Sequence, residues 1–277
     1  MVDYNVWLQW HFHPDIVIGV FLLQGGYLLG VTKLRSKYNL APAVDKRKTV
    51  FFSVGVASLY LALSSPIHHL ADNYLFSAHM IQHLILLLVV PPLLLTGTPG
   101  WLCRPIIRYR LTAYIANWLT RPVQAFAISG LVLGLWHLPQ FYNATLTNHS
   151  LHVIEHVMFS LSAIIMWWPV LSPINEVPRA SYPMQMVYLF LLTLPAGFIG
   201  AAITFSPRIL YDFYATVPRL WSIDAVTDQQ IGGLIMKIPG ALAFFITMIF
   251  VFALWYQRDQ RGEFSPINEI EPPDGDE

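Results

Sequence analysis

Residues 75–97 read LFSAHMIQHLILLLVVPPLLLTG, 23 residues without a lysine, arginine, aspartate or glutamate. A helix of that length reaches across roughly 30 Å of hydrocarbon, where each backbone polar group must be paired within the segment. The stretch predicts a transmembrane helix. Further apolar runs, separated by charged or proline-bearing loops, fall at 15 to 32, 49 to 66, 121 to 138, 152 to 171, 183 to 204 and 233 to 256. The expected architecture is an all-α polytopic membrane domain of seven transmembrane helices over residues 1–256, followed by an acidic cytoplasmic tail over 257–277 that is too polar to fold alone. Gln24, Gly25 and Gly26 interrupt the first run, although small residues suit close packing between membrane helices. No basic segment with a small-residue cleavage site precedes that run, so it does not read as a removable signal peptide.

Composition points the same way. The 277 residues are 55% hydrophobic and 12% charged, against a soluble norm near 25% charged, which argues against a water-soluble enzyme. Mean hydropathy is +0.52. A formal net charge of zero with 16 lysines and arginines speaks against nucleic acid as a partner. The single cysteine, Cys103, excludes an intrachain disulfide and an iron–sulfur cluster held by this chain alone. It lacks a nearby Cys or His in sequence and reads as an apolar thiol.

Orientation follows from lysine and arginine alone. Loop 33–48 carries Lys33, Arg35, Lys37, Lys46, Arg47 and Lys48, and loop 98–121 carries Arg104, Arg108, Arg110 and Arg121. With Arg179, Arg258 and Arg261, thirteen basic residues fall on one side and only Arg208, Arg219 and Lys237 on the other. The richer side is expected in the cytoplasm, with the N-terminus outside and the C-terminus inside. Pro66, Pro139 and Pro173 stand near run ends, whereas Pro91-Pro92, Pro195 and Pro239 lie within runs and predict kinks whose freed carbonyls need other donors. The segment Ser172-Pro173-Ile174-Asn175-Glu176 recurs as Ser265-Pro266-Ile267-Asn268-Glu269, both copies on the expected cytoplasmic face.

All ten histidines then map to the opposite, outer side. His11 and His13 precede the first run, His68 and His69 close the second, His79 and His83 open the third, His137 closes the fourth, and His149, His152 and His156 open the fifth. His79 and His83 share one helix face, as do His152 and His156. Imidazoles so placed fit a metal site or two axial haem ligands, with Met80, Asp72 and Glu155 nearby as softer or supporting contacts. They also fit a metal-free polar network or proton relay. A zinc peptidase is disfavoured, because Gln82 stands where the general-base glutamate of His-Glu-x-x-His belongs. Before the last run, Asp228 and Lys237 offer an internal ion pair, unless Lys237 snorkels to the interface. Gly232 and Gly233 permit close backbone approach.

Together these segments resemble the seven-span bacterial CtaG family of cytochrome c oxidase assembly factors, distinct from the single-span copper chaperone that shares the name. The resemblance rests on His79-Met80-Ile81-Gln82-His83-Leu84 leading into Pro91-Pro92, Trp136-His137-Leu138-Pro139, His152-x-x-x-His156 and Asp228-Gln229-Gln230-Ile231-Gly232-Gly233, and spans roughly residues 60 to 245. It implies a non-enzymatic role in assembling or maturing a haem-copper oxidase in the bacterial cell membrane, through copper handling on the outer face. The expected partners are oxidase subunits, the lipid bilayer and an extracytoplasmic copper chaperone. The motifs single out His79, His83, His137, His152, His156 and Asp228, while predicted depth adds His68 and His69 as metal candidates. Three rivals stand beside this reading: a haem-binding redox protein, a metal-free scaffold for oxidase assembly, and a metal transporter. The number of spans does not by itself assign any function.

Overall fold

A computed structural model describes residues 13–262 together with Val6, Gln9 and Trp10; among them the only regular structure is helical. Six helices are long and apolar enough to cross a membrane: α1 (Pro14–Lys37), α2 (Lys46–Asn73), α3 (Phe76–Gly97), α8 (His149–Leu171), α9 (Tyr182–Thr204) and α11 (Ala225–Gln260). Between α3 and α8 lie α4 (Gly100–Ile107), α5 (Arg110–Leu119), α6 (Pro122–Trp136) and α7 (Pro139–Thr147), and α10 (Phe213–Thr216) precedes α11. The run at 121–138 departs from expectation. Its helix, α6, has 15 residues, about 22 Å at the helical rise, so a seventh span exists only if α6 is joined to α5, from which it bends by 71°. The loop expected at 98–121 is mostly helical, in α4 and α5, and α11 begins eight residues before the apolar run that announced it. His11, the second copy of the five-residue repeat and the acidic end of the chain lie outside the described residues.

Local chemistry sets the helix starts. The Asp45 carboxylate accepts the amides of Arg47 and Lys48 at 3.0 and 3.2 Å, Asn148 accepts that of Leu151 at 3.2 Å, and Asp224 accepts those of Val226 and Thr227, both at 3.0 Å. Each occupies donors that a helix leaves open in its first turn. Helix α2 breaks at Ser65, whose hydroxyl caps a final segment, Pro66–Asn73, through the Ile67 amide at 3.2 Å. That final segment carries His68, His69 and Asp72.

The internal prolines behave as their chemistry requires. Ahead of Pro91-Pro92, helix α3 widens into a π-turn over Ile85–Val89. Pro91 has no amide hydrogen for the Leu87 carbonyl, and the indole of Trp167 on α8 donates to that oxygen at 2.7 Å. The missing bond thereby becomes a link between two spans. Helices α9 and α11 lie along one another at Gly200 and Gly233, where a methyl on Gly200 would stand 2.8 Å from the Gly233 carbonyl oxygen and one on Gly233 would stand 2.7 Å from that of Gly200. Only glycine fits either place.

Contacts orient the bundle internally. The end of α3 meets the beginning of α2, with Gly97 against Phe52, and Gly100 lies against Pro173 beyond α8. One end therefore gathers most of the lysine- and arginine-bearing connections, and the other gathers the histidines together with the connection that bears Arg208 and Arg219. An apolar cluster of Trp167, Tyr188, Leu189 and Phe244 fills the bundle toward the first end, while Phe76, Met80, Tyr142, Phe159 and Tyr211 build a second cluster toward the other.

Candidate metal centre

Helical spacing puts His79 and His83 on one face of α3; Glu155 and His156 are neighbours on α8, about 100° apart around it, and both reach the same cluster. Their placement depends on a distant residue. The first turn of α3 has no local side-chain cap; instead Asp228, at the start of α11, accepts the Phe76 amide at 2.7 Å and the Ser77 amide at 3.2 Å. Gly232, one turn further on, leaves room for the Phe76 ring, which a methyl would meet at 2.3 Å. The neighbouring Gln229 accepts the Leu210 amide at 2.7 Å and donates to the Arg208 carbonyl at 3.1 Å. Asp228 thus sets α3 and Gln229 holds the connection that covers it.

The four side chains converge. Candidate ligand atoms of His79, His83, Glu155 and His156 all lie within 4.8 Å of one another, and all four residues are buried. The Nε2 atoms of His79 and His83 face each other at 2.8 Å, and Glu155 Oε1 lies 3.8 and 3.7 Å from them. Glu155 is fully buried, and neither of its oxygens has a hydrogen-bond partner among the described residues; the same holds for Nδ1 of His79 and of His83. A buried carboxylate without a compensating charge costs several kcal/mol. A cation among these groups would supply the charge. Tetrahedral ligands about 2.1 Å from one ion sit about 3.4 Å apart, so closing on a metal would draw the wider pairs inward and part the His79 and His83 nitrogens from 2.8 Å.

A second group adjoins the first. Asp72, His79 and His152 also bring candidate ligand atoms within 4.8 Å, so His79 belongs to both sets. The Gln82 amide nitrogen lies 3.1 Å from His68 Nδ1 and 3.5 Å from His156 Nε2. With that amide donating to Nδ1, the hydrogen of His68 sits on Nε2, 3.2 Å from Asp72 Oδ2. Gln82, the residue that argued against a peptidase, therefore orients two imidazoles. Beyond this group a cavity of about 360 Å³ opens between α1, α2 and α8, lined by His13, Asp15, His68, Asp72, His149 and His152 among others.

The remaining candidates occupy different positions. His137 stands one ring deeper than the four-residue set, 6.1 Å from the His83 ring, with Nδ1 2.7 Å from the Leu133 carbonyl. It lines an inner cavity of about 60 Å³ with His83, Met80, Met166 and Met236. His69 turns instead toward Asn73 and Tyr74. Lys237 is exposed on α11 while Asp228 is committed to α3, so the two do not form the internal pair that the sequence allowed. Burial raises the Cys103 thiol above its ordinary range, in keeping with an unreactive side chain.

Tyrosines absent from the sequence expectation roof the site. Tyr142 packs 5.1 Å from the His79 ring, its hydroxyl 3.1 Å from that of Tyr214; Tyr214 in turn donates to the Ala71 carbonyl at 2.8 Å, and Tyr211 to that of His137 at 3.1 Å. Burial holds these three phenols well above their usual pKa, so they serve as hydrogen-bond donors. No spacing pattern marks them, because the connections before α8 and α11 fold over the cluster from afar.

The fold and this buried imidazole–carboxylate set define a polytopic helical membrane protein with a candidate cation site at one end of its bundle. The family model of the cytochrome c oxidase caa3 assembly factor matches residues 25–258, and the chain belongs to that family. Relatives include uncharacterized proteins of Mycobacterium bovis and Mycobacterium tuberculosis, each 22% identical over 268 residues, and one of Mycobacterium leprae, 26% identical over 271 residues. Each alignment covers 91% of this chain and 40% of the relative, so the chain spans about two fifths of their length. No solved structure matches it significantly.

Proposed function

We propose that this protein takes part in the assembly of a haem-copper oxidase by binding copper at His79, His83, Glu155 and His156 and releasing it to an oxidase subunit. It does so without catalysing a reaction, from the bacterial cell membrane, with the histidine end outside and the lysine- and arginine-rich end in the cytoplasm. An extracytoplasmic copper chaperone is the proposed donor. The observation that supports the copper reading is the buried Glu155 side chain, with neither oxygen hydrogen-bonded among the described residues and Oε1 3.8 and 3.7 Å from two imidazole nitrogens. Imidazole ligands suit copper, and copper as cargo needs ligands that exchange. The family supplies the pathway, and the site supplies the chemistry.

Haem is less well supported. The His79 and His83 rings are 4.2 Å apart and those of His152 and His156 are 4.3 Å apart, in direct contact with no slot between them. The inner cavity, about 60 Å³, is far smaller than the roughly 300 Å³ at which pockets begin to hold sizeable organic ligands; the outer cavity, about 360 Å³ and lined by His13, His68, His149 and His152, reaches that size, and the visible spectrum tests haem there.

The test is metal content and the visible spectrum of detergent-purified protein, beside a variant carrying His79→Ala and His83→Ala. The expected result is near-stoichiometric copper without a haem band in the parent, lost in a variant that keeps its helical circular dichroism, with oxidase copper falling in cells that carry the variant. Equal copper in both proteins, or normal oxidase copper with the variant at normal abundance, would overturn the assignment. Oxidase co-purification with the variant alongside normal oxidase copper would shift the function to a metal-free scaffold.

A further inference from the structure

The copper reading leaves a second ligand group, a cavity and several histidines unused. His149 and Asp15 stand at the mouth, largely exposed and 3.8 Å apart. From there imidazole follows imidazole: His149 to His13 at 5.9 Å between ring centroids, His13 to His68 at 5.2 Å, His68 to His152 at 5.7 Å, and His152 to His79 at 6.0 Å. Exposure falls along the way, from 67% for the His149 side chain to none for His79. Asp72 lies beside the third step, 3.2 Å from His68 and 3.7 Å from His152.

The geometry points to a two-site relay: Asp72, His152 and His79 form an outer cation site, fed through the cavity between α1, α2 and α8, that hands its ion to the buried site by ligand exchange around His79. This rests on the copper reading above and extends it to how the ion arrives. In the transfer the metal keeps its bond to His79, loses those to Asp72 and His152, and gains those to His83, His156 and Glu155. One carboxylate is given up and one gained, so the charge of the ligand set is unchanged and no electron moves; the hydrogen that joins the His79 and His83 Nε2 atoms at 2.8 Å shifts to Nδ1 of its own ring as both Nε2 atoms take the metal. A neutral imidazole offers a single nitrogen lone pair, its other nitrogen bearing hydrogen. His79 therefore serves one ion at a time, and the two sites are alternatives. The buried, unpartnered oxygens of Glu155 lie on the inner side of the exchange, and Asp15 and Asp72 draw cations toward the outer side.

The experiment loads the purified full-length protein with copper(II) from a weak amino-acid chelate, measuring stoichiometry at equilibrium and the loading rate by stopped flow. The parent binds one copper per chain. Asp72→Asn and, independently, His152→Ala keep that stoichiometry but load slower by roughly tenfold or more, as removing a ligand and its field from the path predicts. A protein with Glu155→Gln and His83→Ala retains a weaker copper with a different electron paramagnetic resonance spectrum, that of the outer site. Unchanged loading rates in both outer variants, or two coppers bound at once in the parent, would overturn the relay while leaving the buried copper site standing. A parent that binds no copper overturns both. Monodisperse elution and native helicity in each variant separate these outcomes from misfolding.

Discussion

The two ends of the helix pair α3 and α8 treat buried polar groups in opposite ways. Toward the lysine- and arginine-bearing end each strategic donor has its acceptor: Trp167 donates to Leu87, Tyr188 to Met166, Trp168 to Val177 and Gln185 to Ala180, at 2.7, 2.7, 3.2 and 2.7 Å. At the histidine end Glu155 has none among the described residues, and His79 and His83 meet nitrogen to nitrogen. A completed network stabilises a fold. An incomplete one in a dry interior leaves room for a further group, which on the function proposed above is a cation.

This contrast breaks most sharply at Glu155. Glu155→Leu is expected to abolish copper-dependent thermal stabilisation and to raise the stability of the metal-free protein by about 1–3 kcal/mol, since an apolar side chain replaces a buried carboxyl group without hydrogen-bond partners among the described residues. Thermal unfolding in detergent, with and without copper, checks both; destabilisation of the metal-free variant would mark Glu155 as part of a structural network. Asp228→Ala is expected to cost about 2–3 kcal/mol, by leaving the Phe76 and Ser77 amides without their charged acceptor. Copper binding should weaken with it because α3 carries His79 and His83, and Asp228→Asn should recover part of both losses.

At the other end the signs separate. Trp167→Phe leaves the Leu87 carbonyl unpaired within the apolar bundle and should cost about 1–3 kcal/mol in thermal unfolding while copper affinity stays unchanged. A change in copper affinity would show that the two ends are mechanically coupled. Lys237→Met is expected to give the smallest loss, no more than about 0.5 kcal/mol, because the side chain is exposed on a membrane-spanning helix and is no partner of Asp228, so replacing the ammonium group leaves stability unchanged or raises it. A loss well beyond that in the same assay would point to an internal role for the ammonium group.

The site was partly legible before any coordinates. Four-residue spacing announced that His79 pairs with His83 and His152 with His156, because helical periodicity is local and needs no tertiary knowledge. Their convergence was not readable, since the relative rotation of α3 and α8 is set by packing. Asp72 and Glu155 were visible as nearby acids, whereas the second role of Gln82 emerges only from its distances to His68 and His156. His69 illustrates the converse: it shares its segment with His68, yet a one-residue step on a helix turns it by about 100°, toward Asn73 and Tyr74. The short α6 shows the same limit for the fold, because hydropathy marks an apolar run and says little about where a chain bends at Arg121-Pro122.

What the sequence determined by itself was the helical class and the separation of charge types: long uncharged runs favour helices through the cost of unpaired backbone in hydrocarbon, and basic residues and histidines separate along the chain. What only the tertiary structure decided was which of those histidines share an ion's worth of space. That depends on contacts between distant residues, such as Asp228 on the Phe76 amide 152 positions away, and on glycines that let helices close to backbone distance. Long-range hydrogen bonds and close packing have no periodic signature in a chain, and they are what turn a layer of imidazoles into a site.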